Sequence, residues 1–133
     1  SAVLVRLTGP KANGMPELHS LTPILSSLQQ GGHAIMLITD GRMSGASGRV
    51  PAALHVTPEA IDGGAIGAIC DGDMITLDVA TGRLSVEADL SQRPQVKSNP
   101  FEGGFGRELF SNMREQAASA EAGGGINLLW RYQ

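Results

Sequence analysis

The chain has one cysteine, Cys70, in 133 residues. A lone thiol excludes an internal disulfide framework and a cysteine-built metal cage, and a reducing, cytoplasmic setting is expected. Aromatic residues make up only 4%, so the core must rest on Ile, Leu, Val, Ala and Met. No excess of positive charge is present. The formal net charge is -3, which gives no electrostatic footprint for nucleic acid and no polybasic membrane signal. No apolar run approaches the roughly 20 residues that span a bilayer, and no secretory pattern opens the sequence. Glycine, by contrast, is plentiful at 18 residues and predicts many tight turns. With 41% hydrophobic and 17% charged residues, residues 1–133 read as one globular domain with one core. The chain opens abruptly in a strand-like stretch with no initiator Met. A fragment of a longer protein is expected from this; ordinary processing after a short leader is the alternative.

Residues 2–7, 33–38, 65–70, 74–79 and 84–88 read as strands, and 50–56 as extended chain. In 74–79 the apolar Ile75, Leu77 and Val79 alternate with Thr76 and Asp78, the period of a half-buried strand. Thr81-Gly82 turns this segment back into 84–88, an antiparallel hairpin. Thr22-Pro23 marks a helix start, with Thr as cap and Pro in the first turn. Ile24, Leu25 and Leu28 supply its apolar face, and Gly31-Gly32 end it. Thr57-Pro58-Glu59 repeats the signature before a very short helix that ends at Gly63-Gly64. Residues 91–106 read as a linker or surface excursion. Residues 107–121 read as an amphipathic helix with Leu109, Phe110, Met113 and Ala117 on one face, and 126–130 as a last strand. The expected fold is mixed α/β: a mixed sheet or small barrel with two or three flanking helices.

Chemistry concentrates in residues 39–49, Thr-Asp-Gly-Arg-Met-Ser-Gly-Ala-Ser-Gly-Arg, directly after the apolar run 33–38. Ligands of open α/β sheets bind at such carboxyl ends of strands. The segment has neither a Walker ending nor a G-x-S-x-G elbow. Ser44 stands beside Gly45, where a ligand can approach the backbone closely. A serine hydroxyl acts as base or nucleophile only if its proton is drawn away, and no His is adjacent in sequence. Arg42 and Arg49 could meet carboxylate or phosphate, and the loop's N–H groups, with Gly45 and Ser47, could add dipoles. The bland alternative is a glycine-rich turn. Glu17 follows the Gly- and Pro-rich loop 9–16 and could bind a hard cation such as Mg²⁺; a solvated carboxylate is the alternative. His19, His33 and His55 have no metal-ligand spacing and read as structural or surface residues. Cys70 reads as a buried small hydrophobe, Asp71 and Asp73 as turn formers, and Trp130 as a packing anchor.

The long motif from Thr39 to Arg49, continued by Val50-Pro51-Ala52-Ala53 and Thr57-Pro58-Glu59-Ala60, resembles the C-terminal region of the family joining dihydroxy-acid and 6-phosphogluconate dehydratases. Gly9-Pro10 with Gly14-Met15-Pro16-Glu17-Leu18 resembles the family's upstream motif, and Gly63-Gly64, Asp71-Gly72-Asp73 and Gly106-Arg107-Glu108-Leu109-Phe110 follow in order. Met43, Ala46-Ser47-Gly48 and Val50-Pro51-Ala52-Ala53 resemble the phosphogluconate branch.

The resemblance implies a swivelling β/β/α domain that closes over a larger N-terminal dehydratase domain. It implies elimination of water from 6-phospho-D-gluconate to give 2-dehydro-3-deoxy-6-phosphogluconate, in the Entner–Doudoroff pathway, by an enzyme expected to be a cytoplasmic homodimer. It also implies an iron–sulfur cluster as Lewis acid, Ser44 as proton acceptor, and Glu17 as a Mg²⁺ ligand by analogy with the dihydroxy-acid branch. The family's cluster cysteines have no counterpart here, since Cys70 matches none of them. This chain alone is therefore expected to lack dehydratase activity. A dihydroxy-acid or sugar-acid dehydratase domain, a stand-alone module that binds a phosphate or small molecule, and a purely structural lid or dimerisation domain are the alternatives.

Overall fold

A computed structural model describes residues 1–44, 48–97, 104, 106 and 108–126. Its main sheet holds β1 (Ala2–Val5), β2 (Met36–Thr39) and β3 (Ala52–Ala53), parallel and in that spatial order. The central strand β2 is apolar up to its last residue, Thr39, because both of its faces are covered. Leu37 is 0% exposed and faces Leu25, Ile35 and Met43; Ile38 is 1% exposed and faces Ala60 and Ile66 on the other side. Successive side chains of a strand point to opposite faces, so two neighbouring residues seed two half-cores.

The β1–β2 crossover carries α1 (Pro10–Asn13) and α2 (Thr22–Gln30). Helix α1 ends on Gly14 at φ 65, a left-handed position that suits glycine. Helix α2 ends at Gly31 as expected. Its start differs from expectation. A 3₁₀ turn, His19–Leu21, runs straight into it, and no side chain caps it. The Thr22 hydroxyl points instead at Met43 Sδ, 3.2 Å away. Of the expected apolar face, only Leu25 is buried; Ile24 and Leu28 are exposed.

The expected hairpin is present: β4 (Ile75–Asp78) pairs antiparallel with β5 (Arg83–Val86). Asp78 accepts the N–H groups of Ala80 and Thr81 and the Thr81 hydroxyl, which closes the turn. The mixed α/β class therefore holds, and the sheets of the described residues close no barrel.

Four further expectations are corrected. Residues 65–70 form no strand but a 3₁₀ turn, Ala65–Ala68. Arg6 Nη1 reaches the carbonyls of Ile66, Gly67 and Ile69 at 3.3, 3.4 and 2.7 Å, a role that ladder partners would otherwise fill. Cys70, just beyond this turn, is exposed rather than buried. The stretch 50–56 pairs only over Ala52–Ala53, and His55 at φ 55 breaks the extended run. The helix expected over 107–121 is the 3₁₀ turn Glu108–Phe110 followed by α3 (Ser111–Glu115). Leu109, Phe110 and Met113 are exposed at 74%, 51% and 47%, so this stripe meets no core among the described residues.

Beyond α3, Ala117 bridges Ile126; the remainder of the expected last strand, with Trp130, lies outside the described residues, as do Gly45 and Ser47. In the 91–106 stretch, Val96 packs on the Ile38 side, and its N–H donates to the Gly67 carbonyl at 2.9 Å. No helix among the described residues is long and apolar enough to cross a membrane.

Candidate functional site

The parallel pairing of β1 and β2 brings two loops together at their carboxyl ends, and Asp40 joins them. Its side chain is fully buried. Oδ2 accepts the N–H groups of Leu7 and Ala60 at 3.1 and 3.0 Å; Oδ1 accepts the N–H and the hydroxyl of Thr8, both at 3.0 Å. Because Thr8 gives its only hydroxyl proton to Asp40, the Thr39 hydroxyl 3.1 Å away must donate to Thr8 Oγ1, and Thr39 Oγ1 in turn accepts the Gly41 N–H at 2.9 Å. Gly41 is buried here, and a Cβ on it would collide with the Thr8 side chain. The loop stem is thereby fixed against the end of β1.

A second buried carboxylate, Glu59, accepts the N–H groups of Lys11 and Ala12, both at 3.1 Å. These are orphan donors of the first turn of α1. Burial pushes the Glu59 pKa above its ordinary value, while the two N–H bonds pull the other way. Glu59 thus pins α1, and with it the Gly14–Glu17 segment, to the turn that follows β3.

On this base stands the cluster around Ser44. The segment at Glu17 runs parallel to that at Arg42, and Leu18 N–H donates to the Arg42 carbonyl at 3.2 Å. Glu17 Oε1 accepts the Ser44 N–H at 2.8 Å. Arg42 Nη1 lies 3.3 Å from Glu17 Oε2, and Arg42 Nε donates to the Met15 carbonyl at 2.8 Å. His19 Nδ1 lies 3.1 Å from the Ser44 carbonyl oxygen. Met43, between the two, is buried and anchors the segment in the Leu37 half-core. The Glu17 carboxyl is held below its ordinary range, first by the Ser44 N–H, then by the Ser44 hydroxyl, the Arg42 charge and the His19 N–H. A carboxylate so favoured in its ionised form is a weak proton acceptor. Glu17 therefore orients Ser44 better than it could deprotonate it.

The structure brings together three of the residues singled out in the sequence: Ser44, Glu17 and Arg42. Arg49 is exposed, with its carbonyl accepting from Gln29 at 2.8 Å. Sequence reasoning gave no site role to His19, Asp40 or Glu59. His19 carried a signal, since it follows Glu17 by two residues in a motif already marked. The roles of Asp40 and Glu59 depend on segments far away in sequence.

The donor set tests the implied cofactors. Fe–S clusters take several thiolates, and Cys70 is the single cysteine in the whole sequence. These residues do not fit a cluster. Among the described residues no three His, Cys, Asp or Glu side chains converge on a possible metal position. Glu17 already faces the Arg42 guanidinium, so it offers Mg²⁺ at most one occupied carboxylate. A cleft of about 390 Å³ opens beside Met15, lined by Pro10, Phe110, Met113, Arg114 and Ile126.

The family model described as dihydroxy-acid/6-phosphogluconate dehydratase C-terminal matches residues 1–124. A phosphogluconate dehydratase of Zymomonas mobilis is 55% identical over 124 residues, covering 91% of this chain and 20% of its own length. The Escherichia coli phosphogluconate dehydratase is 52% identical over 128 residues, 91% of this chain and 21% of its own. A dihydroxy-acid dehydratase of Anaeromyxobacter dehalogenans is 44% identical over 95 residues, 68% of this chain and 17% of its own. The chain thus spans about a fifth of the length of the curated relatives it matches. Its match to residues 1–124 includes every described residue of the Ser44 cluster, and the chain belongs to the dihydroxy-acid/6-phosphogluconate dehydratase family, as its C-terminal domain.

Proposed function

We propose that this chain is the C-terminal part of a hydro-lyase that converts 6-phospho-D-gluconate to 2-dehydro-3-deoxy-6-phospho-D-gluconate, with Ser44 as the proton-abstracting base. Ser44 Oγ takes the proton from C2, alpha to the carboxylate. The C2–H electron pair becomes the C2=C3 bond, and the C3 hydroxyl leaves with one proton as water. The resulting enol then tautomerises to the ketone. The observation that carries this reading is the hold on Ser44 at the carboxyl end of β2, with its N–H on Glu17 at 2.8 Å. A base must be placed within hydrogen-bond reach of the proton it removes, and a glycine-flanked serine needs such an external hold. The higher identity to phosphogluconate dehydratases than to a dihydroxy-acid dehydratase favours the phosphorylated substrate.

Since Glu17 is a weak acceptor and already neutralises part of the Arg42 charge, a Ser44 alkoxide needs positive charge beyond what the described cluster supplies. The iron–sulfur cluster and any Mg²⁺ belong, in this reading, to a larger N-terminal domain onto which this one docks, in a cytoplasmic homodimer. Arg42, held at Met15 and Glu17, presents its guanidinium beside Ser44; together with Arg49, Gly45 and Ser47 it is assigned to substrate binding. Ser44→Ala in the full-length enzyme tests the assignment. The expected loss in turnover is 10²- to 10⁴-fold, the usual contribution of a general base. A loss under about tenfold with the fold intact excludes the base role. The isolated chain is expected to show no turnover. Tight binding of 6-phosphogluconate by the isolated chain would instead support a self-sufficient binding module.

A further inference from the structure

Ser44 is gripped at both ends of its own backbone by a single short segment. Glu17 takes its N–H at 2.8 Å, and His19 meets its carbonyl oxygen at 3.1 Å. A carbonyl oxygen can only accept, so Nδ1 of His19 carries a proton and donates. Between these two side chains, Leu18 N–H donates to the Arg42 carbonyl at 3.2 Å, which fixes the register of residues 17–19 against 42–44.

The Ser44 hydroxyl, which bonds to Glu17, turns about χ1 from a Cβ whose place follows from the backbone angles of its residue. Those angles are set by whatever holds its own N–H and C=O. Gly45 follows Ser44 in sequence and brings no Cβ to restrict the carbonyl side, so a hydrogen bond to that carbonyl counts. His19 supplies it across 25 residues of chain. The imidazole is exposed, so it has no core to support. A solvent-facing hydrogen bond contributes little to global stability, yet a small displacement of a reacting group can slow a reaction by as much as about 10²-fold.

We propose that His19 is a positioning residue for Ser44: its Nδ1–H holds the Ser44 carbonyl and thereby aims the Ser44 hydroxyl at the substrate. This assignment rests on the reading of Ser44 as the base. His19 acts through the backbone of Ser44 and transfers no proton itself.

Three substitutions in the full-length enzyme test it, with steady-state kinetics and thermal melting on each. His19→Phe keeps a ring but loses the donor; kcat is expected to fall about tenfold or more, with KM within about twofold and melting unchanged. His19→Asn puts an amide N–H where Nδ1 stood and is expected to restore kcat to within about threefold of wild type. His19→Gln places its amide one bond farther out and is expected to stay as slow as His19→Phe. In a Ser44→Ala background, His19→Phe is expected to add no further loss, because the two residues act as one unit. Wild-type kcat in His19→Phe, or a raised KM with unchanged kcat, overturns the assignment; the second result marks a direct substrate contact instead. If Ser44→Ala itself keeps its activity, the Ser44 reading fails. If Ser44→Ala is inactive and His19→Phe runs at the wild-type rate, only the His19 assignment fails.

Discussion

The Asp40 carboxylate accepts the backbone N–H of Ala60 at 3.0 Å, across 20 residues of sequence. With the same two oxygens it holds Leu7 and Thr8, so one buried side chain ties three segments at the end of the sheet. Both oxygens face donors only. Asp40→Asn therefore turns an N–H₂ group toward N–H or O–H donors whichever way the amide is set. The expected cost is about 2–3 kcal/mol of folding stability, read as a lower urea midpoint with an unchanged slope. A midpoint equal to wild type would show that these bonds do not hold the strand ends.

Glu17 faces Ser44 and Arg42 at the protein surface, so its removal is expected to show in rate rather than stability. In Glu17→Gln an amide oxygen can still accept the Ser44 N–H, but the charge facing Arg42 is gone. Glu17→Ala loses both. In the full-length enzyme, kcat is expected to fall in that order, by about tenfold or more for the alanine variant. The pH dependence follows from the sign. The folded-state pKa is depressed, first by the Ser44 N–H, so the ionised hold is complete above the ordinary carboxylate value and is lost only as pH drops through the lower folded value. Acid loss of activity through this group is therefore expected only below the ordinary carboxylate range, and Glu17→Gln should lack that limb.

Glu59 has the opposite sign. Burial raises its folded pKa, so the folded state disfavours its charged form. Stability contributed at this position is lowest above the folded pKa and recovers as pH falls toward the ordinary carboxylate value. Glu59→Gln cannot titrate. The melting temperature of wild type minus that of Glu59→Gln should therefore rise as pH is lowered from about 7 to 4. A difference that is flat or falls over that range would contradict the burial of this carboxylate against α1.

Gly41 is buried where β2 leaves the sheet, and a Cβ there would run into the Thr8 side chain. Thr8 cannot yield without losing its bonds to Asp40. Gly41→Ala is expected to cost about 1–3 kcal/mol in stability. The full-length variant should also lose activity at temperatures where it is still folded, since Ser44 lies three residues on. A stability loss with normal kcat would separate the loop stem from the site.

Elements with their own local period were legible in the sequence. Ile75, Leu77 and Val79 alternate with polar residues, and the hairpin β4–β5 lies where that pattern placed it. The run Ala65–Ala68 has no such period, and short apolar runs are ambiguous between strand and turn. Arg6 decides the matter by donating to its carbonyls from 60 or more residues away. Cys70 shares the ambiguity: its burial depends on a strand at 65–70, and beyond the 3₁₀ turn it is exposed. The helix expected over 107–121 has a fair apolar stripe, but among the described residues Leu109, Phe110 and Met113 stay exposed, a stripe that buries little stabilises little, and α3 spans only Ser111–Glu115. At the site, Ser44 and Glu17 could be singled out individually from their motifs. Their contact could not, because it exists only once β1 and β2 lie side by side.

That dependence on β1–β2 pairing has a kinetic consequence. Glu17 and His19 precede α2, whereas Ser44 follows β2, at sequence separations of 27 and 25. No helix or hairpin carries any part of this geometry locally. During refolding, the Ser44 environment must appear together with the parallel strand pair, a non-local step that is intrinsically slow. A spectroscopic probe placed beside Ser44 would thus time the closure of the β1–β2 crossover, and helix formation alone would leave it silent.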